Sequence, residues 1–136
     1  NIYKLKRGIK IYYKNDKKDK YFIYGIENRI EQIVANLLDN AVSFSEDNKE
    51  IIVRVSKSND NKVILNILDE GEGLKEKDIN KIFKRFYSNR PNKFGEHSGL
   101  GLNIVKNLVD LHNASIKASN RLNQKGANME VIFPKV

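Results

Sequence analysis

The sequence predicts an α+β fold: a two-layer sandwich of a mixed, mostly antiparallel sheet with about three helices on one face. Three observations carry this reading. Residues 27–43 have the apolar spacing of an amphipathic helix. Residues 50–57 and 62–69 are β-branched and alternating, with the turn Ser58-Asn59-Asp60-Asn61 between them. A second amphipathic stretch over 100–112 is followed by two more strand-like segments.

Residues 8–14 alternate imperfectly and read as a first strand, Asn15 to Lys18 as a turn, and Tyr21 to Tyr24 as a second short strand. In the first helix, Ile30, Ile33, Val34, Leu37, Leu38 and Ala41 fall on one face when successive residues are turned by about 100°. The alternating segments that follow form a hairpin. Asp78 to Phe86 reads as a short helix with Asp78 as its cap. Residues 87–98 are polar, contain Pro91 and Gly95, and read as a loop. In the second amphipathic helix Leu100, Ile104, Leu108 and Leu111 share a face. Ser115 to Ala118 and Met129 to Phe133 read as strands, separated by the turn-like Asn120 to Gly126. The expected total is three helices and about six strands, with no internal repeat and no linker. One domain is expected, with a basic junction and first strand over residues 1–19 and the domain proper over 20–136.

Composition narrows the classes. With 136 residues and 40% hydrophobic content, the chain can bury one core. It has no cysteine, which excludes disulfides and thiolate metal sites. No apolar run approaches the ~20 residues that span a bilayer, and the first residue is Asn, so a fragment is expected, with any membrane anchor of its parent outside it. The net charge of +8 is concentrated at one end: residues 1–20 carry eight Lys or Arg against two Asp, and the remaining residues are nearly balanced. This is either a solvated, Lys-rich strand edge or a docking surface for an acidic partner or anionic lipid. Helix-turn-helix spacing, zinc-finger spacing and aromatic ribonucleoprotein motifs are all absent, so no nucleic acid is expected.

Three segments carry candidate chemistry. The first helix bears Gln32, Asn36 and Asn40 at i, i+4 and i+8, and Asn40 sits at the seam beside the apolar face. Read alone, the stripe is either a row of ordinary amides or a place where an amide oxygen completes the shell of Mg²⁺. The strand residues Leu65 to Leu68 deliver Asp69 to a strand end, followed by Gly71 and Gly73. That is either a plain turn or a carboxylate placed to accept from an exocyclic amine, with glycines that let the backbone approach a flat base. Gly99-Leu100-Gly101-Leu102 opens the second helix, either as a hinge or as a ring of free N–H groups for phosphate. It is not a Walker A loop, which needs Gly-Lys-Ser/Thr, nor a dinucleotide fingerprint, since Ile104 stands where a third glycine would be. It is not the protein-kinase set either, because the earlier stretch reads Asp-Glu-Gly and no catalytic loop is present. Between these segments, Ile82-Phe83-Lys84-Arg85-Phe86-Tyr87 is a core patch with solvated charges or a source of phosphate contacts.

In this order, the Asn helix, the Asp-x-Gly-x-Gly turn and the Gly-x-Gly helix start resemble the catalytic and ATP-binding domain of sensor histidine kinases. That domain is a branch of the superfamily that also holds gyrase, Hsp90 and MutL ATPases. The resemblance covers roughly residues 20–134 and implies the Bergerat ATP-binding fold. It implies that Asn40 binds the Mg²⁺ bridging the ATP phosphates and that Asn36 faces the same pocket. Phe44 would pack on adenine, with Ser43-Phe44 in place of the more usual Lys-Tyr pair, which removes one phosphate contact. Asp69 would accept from the adenine 6-amino group, beside Gly71, Gly73 and Leu74. Gly99, Leu100, Gly101 and Leu102 would bind phosphate under a lid formed by residues 87–98. Phe86 belongs to the aromatics at the base of the lid, and Arg85, ahead of Arg90 and Lys93, is the implied phosphate contact.

The ATPase branches place a water-activating Glu where this chain has Asn36. The resemblance therefore implies transfer of the γ-phosphate of Mg-ATP to a protein histidine, with Asn36 and Arg85 as the catalytic pair. The acceptor is expected on an upstream dimerisation domain, since His97 lies in the lid and His112 stands where the family often has His-Gly-Gly. A response regulator is the implied recipient of the phosphoryl group. The fragment is expected to be monomeric and cytoplasmic, and its parent a homodimer. A transfer-inactive ATP-binding module, or an ATPase or serine kinase of the same superfamily, are the alternatives.

Overall fold

The computed structural model describes residues 8–15, 20–75, 79–84 and 101–136. Their elements run in the order β1 (Lys10–Asn15), α1 (Glu27–Phe44), β2 (Glu50–Lys57), β3 (Val63–Leu68), a 3₁₀ stretch (Ile79–Phe83), α2 (Gly101–Leu111), β4 (Ser115–Asn120) and β5 (Ala127–Phe133). The strands form one sheet in the order β1-β2-β3-β5-β4. β1 pairs with β2 in parallel, and the other three pairings are antiparallel. The mixed, mostly antiparallel sheet expected from the sequence is therefore present.

α1 supplies the crossover that the parallel pair requires, since parallel neighbours cannot be joined by a tight turn. Ile33, Leu37 and Ala41, which the helical spacing placed on one face, are buried in the core. β3 lies between β2 and β5, and it is buried at five of its six positions. Leu65 and Ile67 face the same core as Val131 and Met129 of β5, their ladder partners. On the other side of the sheet, buried Asn66 donates from Nδ2 to Asn128 Oδ1 at 3.1 Å and to Glu130 Oε2 at 3.2 Å. These bonds offset the cost of burying an amide.

Four expectations need correction. First, residues 21–24 are not a strand. Tyr21 and Ile23 pack against the core while Phe22 and Tyr24 are 66% and 76% exposed. The alternation is real, but the segment lies outside the sheet, whose strands are β1-β2-β3-β5-β4. Second, the sheet has five strands among the described residues, not about six. Third, the short helix expected over 78–86 is, among the described residues, a 3₁₀ stretch over Ile79–Phe83; Asp78, Arg85 and Phe86 lie outside the described residues. Fourth, the buried face of α2 is centred on Val105 and Val109, both 0% exposed, and Leu111 is 59% exposed. Val105 and Val109 are themselves at i, i+4, so α2 has apolar residues on more than one side. The face turned to the core is centred on Val105 and Val109, and of the expected row Leu108 packs at its margin while Leu111 is exposed. Among the described residues no helix is long and apolar enough to cross a membrane.

Candidate functional site

Asp69 is the best-defined chemical group. It follows the last residue of β3 and is 4% exposed. Its Oδ1 accepts the N–H of Gly71 at 2.9 Å and the N–H of Ala127 at 3.0 Å. Both bonds fall on one oxygen, and Oδ2 has no protein donor among the described residues. Burial raises the carboxyl above the ordinary aspartate value, opposed by the two backbone bonds and by the charge of Arg121. The backbone around Asp69 is equally held. Its N–H donates to Ala127 O at 3.0 Å, and its carbonyl accepts from Arg121 Nη1 at 2.9 Å. The side chain therefore cannot swing, and Oδ2 is presented in a fixed direction.

Two glycines make this packing possible. A Cβ on Gly71 would lie 2.5 Å from the carbonyl oxygen of Phe44, so the end of α1 and the turn after Asp69 touch through backbone. Gly126 has φ +134°, and a Cβ there would lie 2.1 Å from Asp69 O. Only glycine fits that conformation and that contact. Phe44, Asp69 and Gly71 are thus brought together. Leu74 lies one turn further on, where Asn120 Oδ1 accepts its N–H at 2.6 Å and Asn120 Nδ2 donates to its carbonyl at 3.3 Å. Gly73, with φ +87°, makes the turn between them.

The second group lies where α1 meets α2. Asn36 Nδ2 donates to the carbonyl of Gly101, the first residue of α2, at 3.4 Å. Leu102 packs against the core beside it. Asn103 Nδ2 donates to Phe83 O at 3.1 Å, which fastens the 3₁₀ stretch to the same helix start. Asn40, one turn beyond Asn36, is buried at 7% exposure. At 1.5 Å per residue, Asn36 and Phe44 are roughly 12 Å apart along α1, so one helix joins the two groups. An amide oxygen such as that of Asn40 can complete a Mg²⁺ shell otherwise made by phosphate and water. Among the described residues no cluster of three or more His, Cys, Asp or Glu could hold a cation unaided. Ser43 is buried, and its hydroxyl donates to Asp39 O at 2.8 Å, a bond back to its own helix.

Arg85, Phe86, Gly99, Leu100, the 87–98 loop and His97 lie outside the described residues. Sequence reasoning missed Asn120, Arg121 and the Gly126-Ala127 pair, which it read as a simple turn and a terminal strand. Ala127 reaches Asp69 because Leu68 pairs with Asn128 in the β3–β5 ladder. That register was the only signal, and it is not written in either segment alone. A cleft of about 280 Å³, lined by Asn80, Phe83, Lys117 and Glu130 among others, opens beside β4; of the segments singled out in the sequence it takes only Phe83.

Comparison with known proteins gives the family and the fold. The family described as "Histidine kinase-, DNA gyrase B-, and HSP90-like ATPase" matches residues 25–136. The sensor protein ChvG of Agrobacterium fabrum is 39% identical over 128 residues, which is 89% of this chain and 21% of that protein. The catalytic domain of the histidine kinase ThkA superposes with a TM-score of 0.81 at 26% identity, covering 97% of this chain and 82% of that one. Full-length ShkA in complex with AMPPNP superposes with a TM-score of 0.82 at 25% identity, covering 98% of this chain and 27% of that one. The chain spans about a fifth of the length of the curated relatives it matches. With the match running over most of its length, this chain belongs to the histidine kinase-, DNA gyrase B- and HSP90-like ATPase family, and sensor histidine kinases are among its relatives.

Proposed function

We propose that this chain binds Mg-ATP and transfers the γ-phosphate to a histidine on a separate dimerisation domain of a two-component sensor kinase. The observation that carries the reading is Asp69: a buried carboxylate with Oδ1 held by two N–H groups and Oδ2 left open. An acceptor in that position suits the 6-amino group of adenine and opposes guanine, which has a carbonyl there. Phe44, joined to Gly71 through backbone contact, would cover the base.

Toward the phosphates, Asn40 would offer its amide oxygen to Mg²⁺. Bound there, the ion would neutralise phosphate charge, which is most of what phosphoryl transfer requires. The start of α2 at Gly101 and Leu102, with Gly99, Leu100 and Arg85, would hold the phosphates. Asn36 is an amide and cannot take a proton from water. This favours transfer to a protein group over autonomous hydrolysis. Residues 20–136 would form the catalytic domain, and 1–19 a basic junction and edge strand.

The acceptor histidine would belong to a dimerisation domain of a homodimeric parent, and a response regulator would receive the phosphoryl group. ThkA has itself been solved in complex with the response regulator protein TrrA. A cytoplasmic location for the domain, no nucleic-acid partner and a monomeric state of this segment complete the reading. A second reading, an ATP-binding module without transfer activity, draws on Ser43, which stands where a lysine is usual and turns its hydroxyl to Asp39.

Calorimetric titration with ATP and with GTP, each with Mg²⁺, tests the proposal. Binding of ATP and not GTP is the expected result; equal binding of both, or of neither, would sink the adenine assignment. Incubation with the dimerisation domain and Mg-ATP then separates the two readings, because only a transferase labels the acceptor histidine.

A further inference from the structure

One imidazole joins the ends of two helices. α1 starts without a side-chain cap: its N-cap residue is Ile26, whose side chain has no acceptor. The partner that could reach back to the N-cap N–H in a capping box is the third helical residue, here Arg29, which can only donate. The Ile26 N–H is instead accepted by His112 Nε2 at 3.1 Å, across 86 residues. The other ring nitrogen, Nδ1, lies 2.7 Å from the carbonyl oxygen of Leu108, in the last turn of α2. A carbonyl only accepts, so Nδ1 carries the hydrogen and Nε2 is the acceptor. A single neutral ring thereby satisfies an orphan donor at the start of α1 and gives the Leu108 carbonyl a second bond beside that from the His112 backbone N–H at 3.2 Å.

The two helices run antiparallel. Ile26 meets α2 at its far end, and Asn36 meets it at Gly101. α2 is therefore hydrogen-bonded to α1 at both ends. Sliding or rotating α2 along α1 would break one bond or the other.

We propose that His112 is a positioning residue for the nucleotide site: it anchors the distal end of α2, and so holds the Gly101 end in register with Asn36 and Asn40. This rests on the function proposed above. Without the anchor, α2 samples positions that do not bind, and the apparent affinity falls by the fraction that remains competent. One net hydrogen bond sets the scale at about three- to tenfold.

The experiment uses His112→Ala, His112→Gln, His112→Asn and Gly25→Ala, with amide exchange at Ile26 and MgATP affinity as readouts. Gln keeps an acceptor at the Nε2 position, whereas Asn keeps only a donor near Nδ1. A Cβ on Gly25 would lie 2.9 Å from Ile30 Cγ1 and 3.3 Å from His112 Cδ2. It would lever the 20–26 segment off the ring without touching α2, and it serves if His112→Ala does not fold. The expected result is faster Ile26 exchange and three- to tenfold weaker MgATP binding in the Ala, Asn and Gly25→Ala proteins, with Gln restoring both. Unchanged affinity in folded His112→Ala or Gly25→Ala, or a Gln protein no better than Asn, would overturn the inference. Failure of the wild-type chain to bind MgATP would overturn the functional reading as well, and the wild-type titration alone reveals it.

Discussion

Asp69 Oδ1 accepts the N–H of Ala127 at 3.0 Å, and the Asp69 N–H in turn donates to the Ala127 carbonyl at 3.0 Å. Residues 58 positions apart thus form a reciprocal pair that fixes a carboxylate at the end of β3. Because Oδ1 is engaged there and by Gly71, whatever Asp69 does for a ligand falls to Oδ2.

Asp69→Asn should separate binding from folding. The Asn oxygen can keep both backbone bonds, but its amide puts a donor where Oδ2 accepted. ATP affinity should fall about 10- to 100-fold, the cost of an unpaired donor in a buried site. The fold should survive. Retained affinity, measured by calorimetry, would remove Asp69 from the adenine site.

The same variant carries a pH dependence. Burial raises the Asp69 carboxyl above its ordinary 3.8, so the folded chain holds this proton more tightly than the unfolded chain does. Its contribution to stability is present below 3.8 and is lost as pH rises through the raised folded value. Asn has no such loss. The stability of Asp69→Asn relative to wild type should therefore grow with pH across the acidic range and level off above it. Urea denaturation from pH 3 to 7 measures this; a difference that shrinks with pH would contradict the sign.

Asn40→Ala should weaken binding of ATP with Mg²⁺ more than binding without it, since an amide oxygen is one of few protein ligands the ion would have. Titrations with MgCl₂ and with a chelator make the comparison. Equal losses would mean that buried Asn40 serves packing alone.

Gly126→Ala should destabilise the fold by about 2 kcal/mol or more. φ +134° is closed to other residues, and the added Cβ would meet Asp69 O at 2.1 Å. The damage should reach the site, lowering ATP affinity in whatever fraction remains folded. A denaturation midpoint equal to that of wild type would be incompatible with this packing.

The corrected face of α2 can be tested by a pair of truncations. Val105→Ala, at a fully buried position, should cost about 1–3 kcal/mol, whereas Leu111→Ala, 59% exposed, should change stability by less than about 0.5 kcal/mol. A reversed order would restore the face expected from the sequence.

Elements governed by local periodicity were legible in the sequence. α1 was expected over 27–43 and spans Glu27–Phe44, and the hairpin at 58–61 joins β2 to β3 as its turn chemistry required. Asp69 and Gly71 were recognisable because a carboxylate and glycines at a strand end have a local signature. The Tyr21–Tyr24 segment and the face of α2 were misread for one reason. Alternation and helical spacing state which residues are apolar, not which partner is available to cover them.

What the sequence by itself determined is α1, the β2–β3 hairpin, the terminal strand and the α+β class, since these follow from backbone propensity and from the spacing of apolar and polar side chains. What only the tertiary structure decided is their relation: β1 parallel to β2, Ala127 against Asp69, Asn36 on Gly101 and His112 on Ile26. Each of these joins residues at least 40 positions apart. Contacts at that separation depend on strand register and on the seating of helices on the sheet, which are properties of the packed core as a whole and of no single segment.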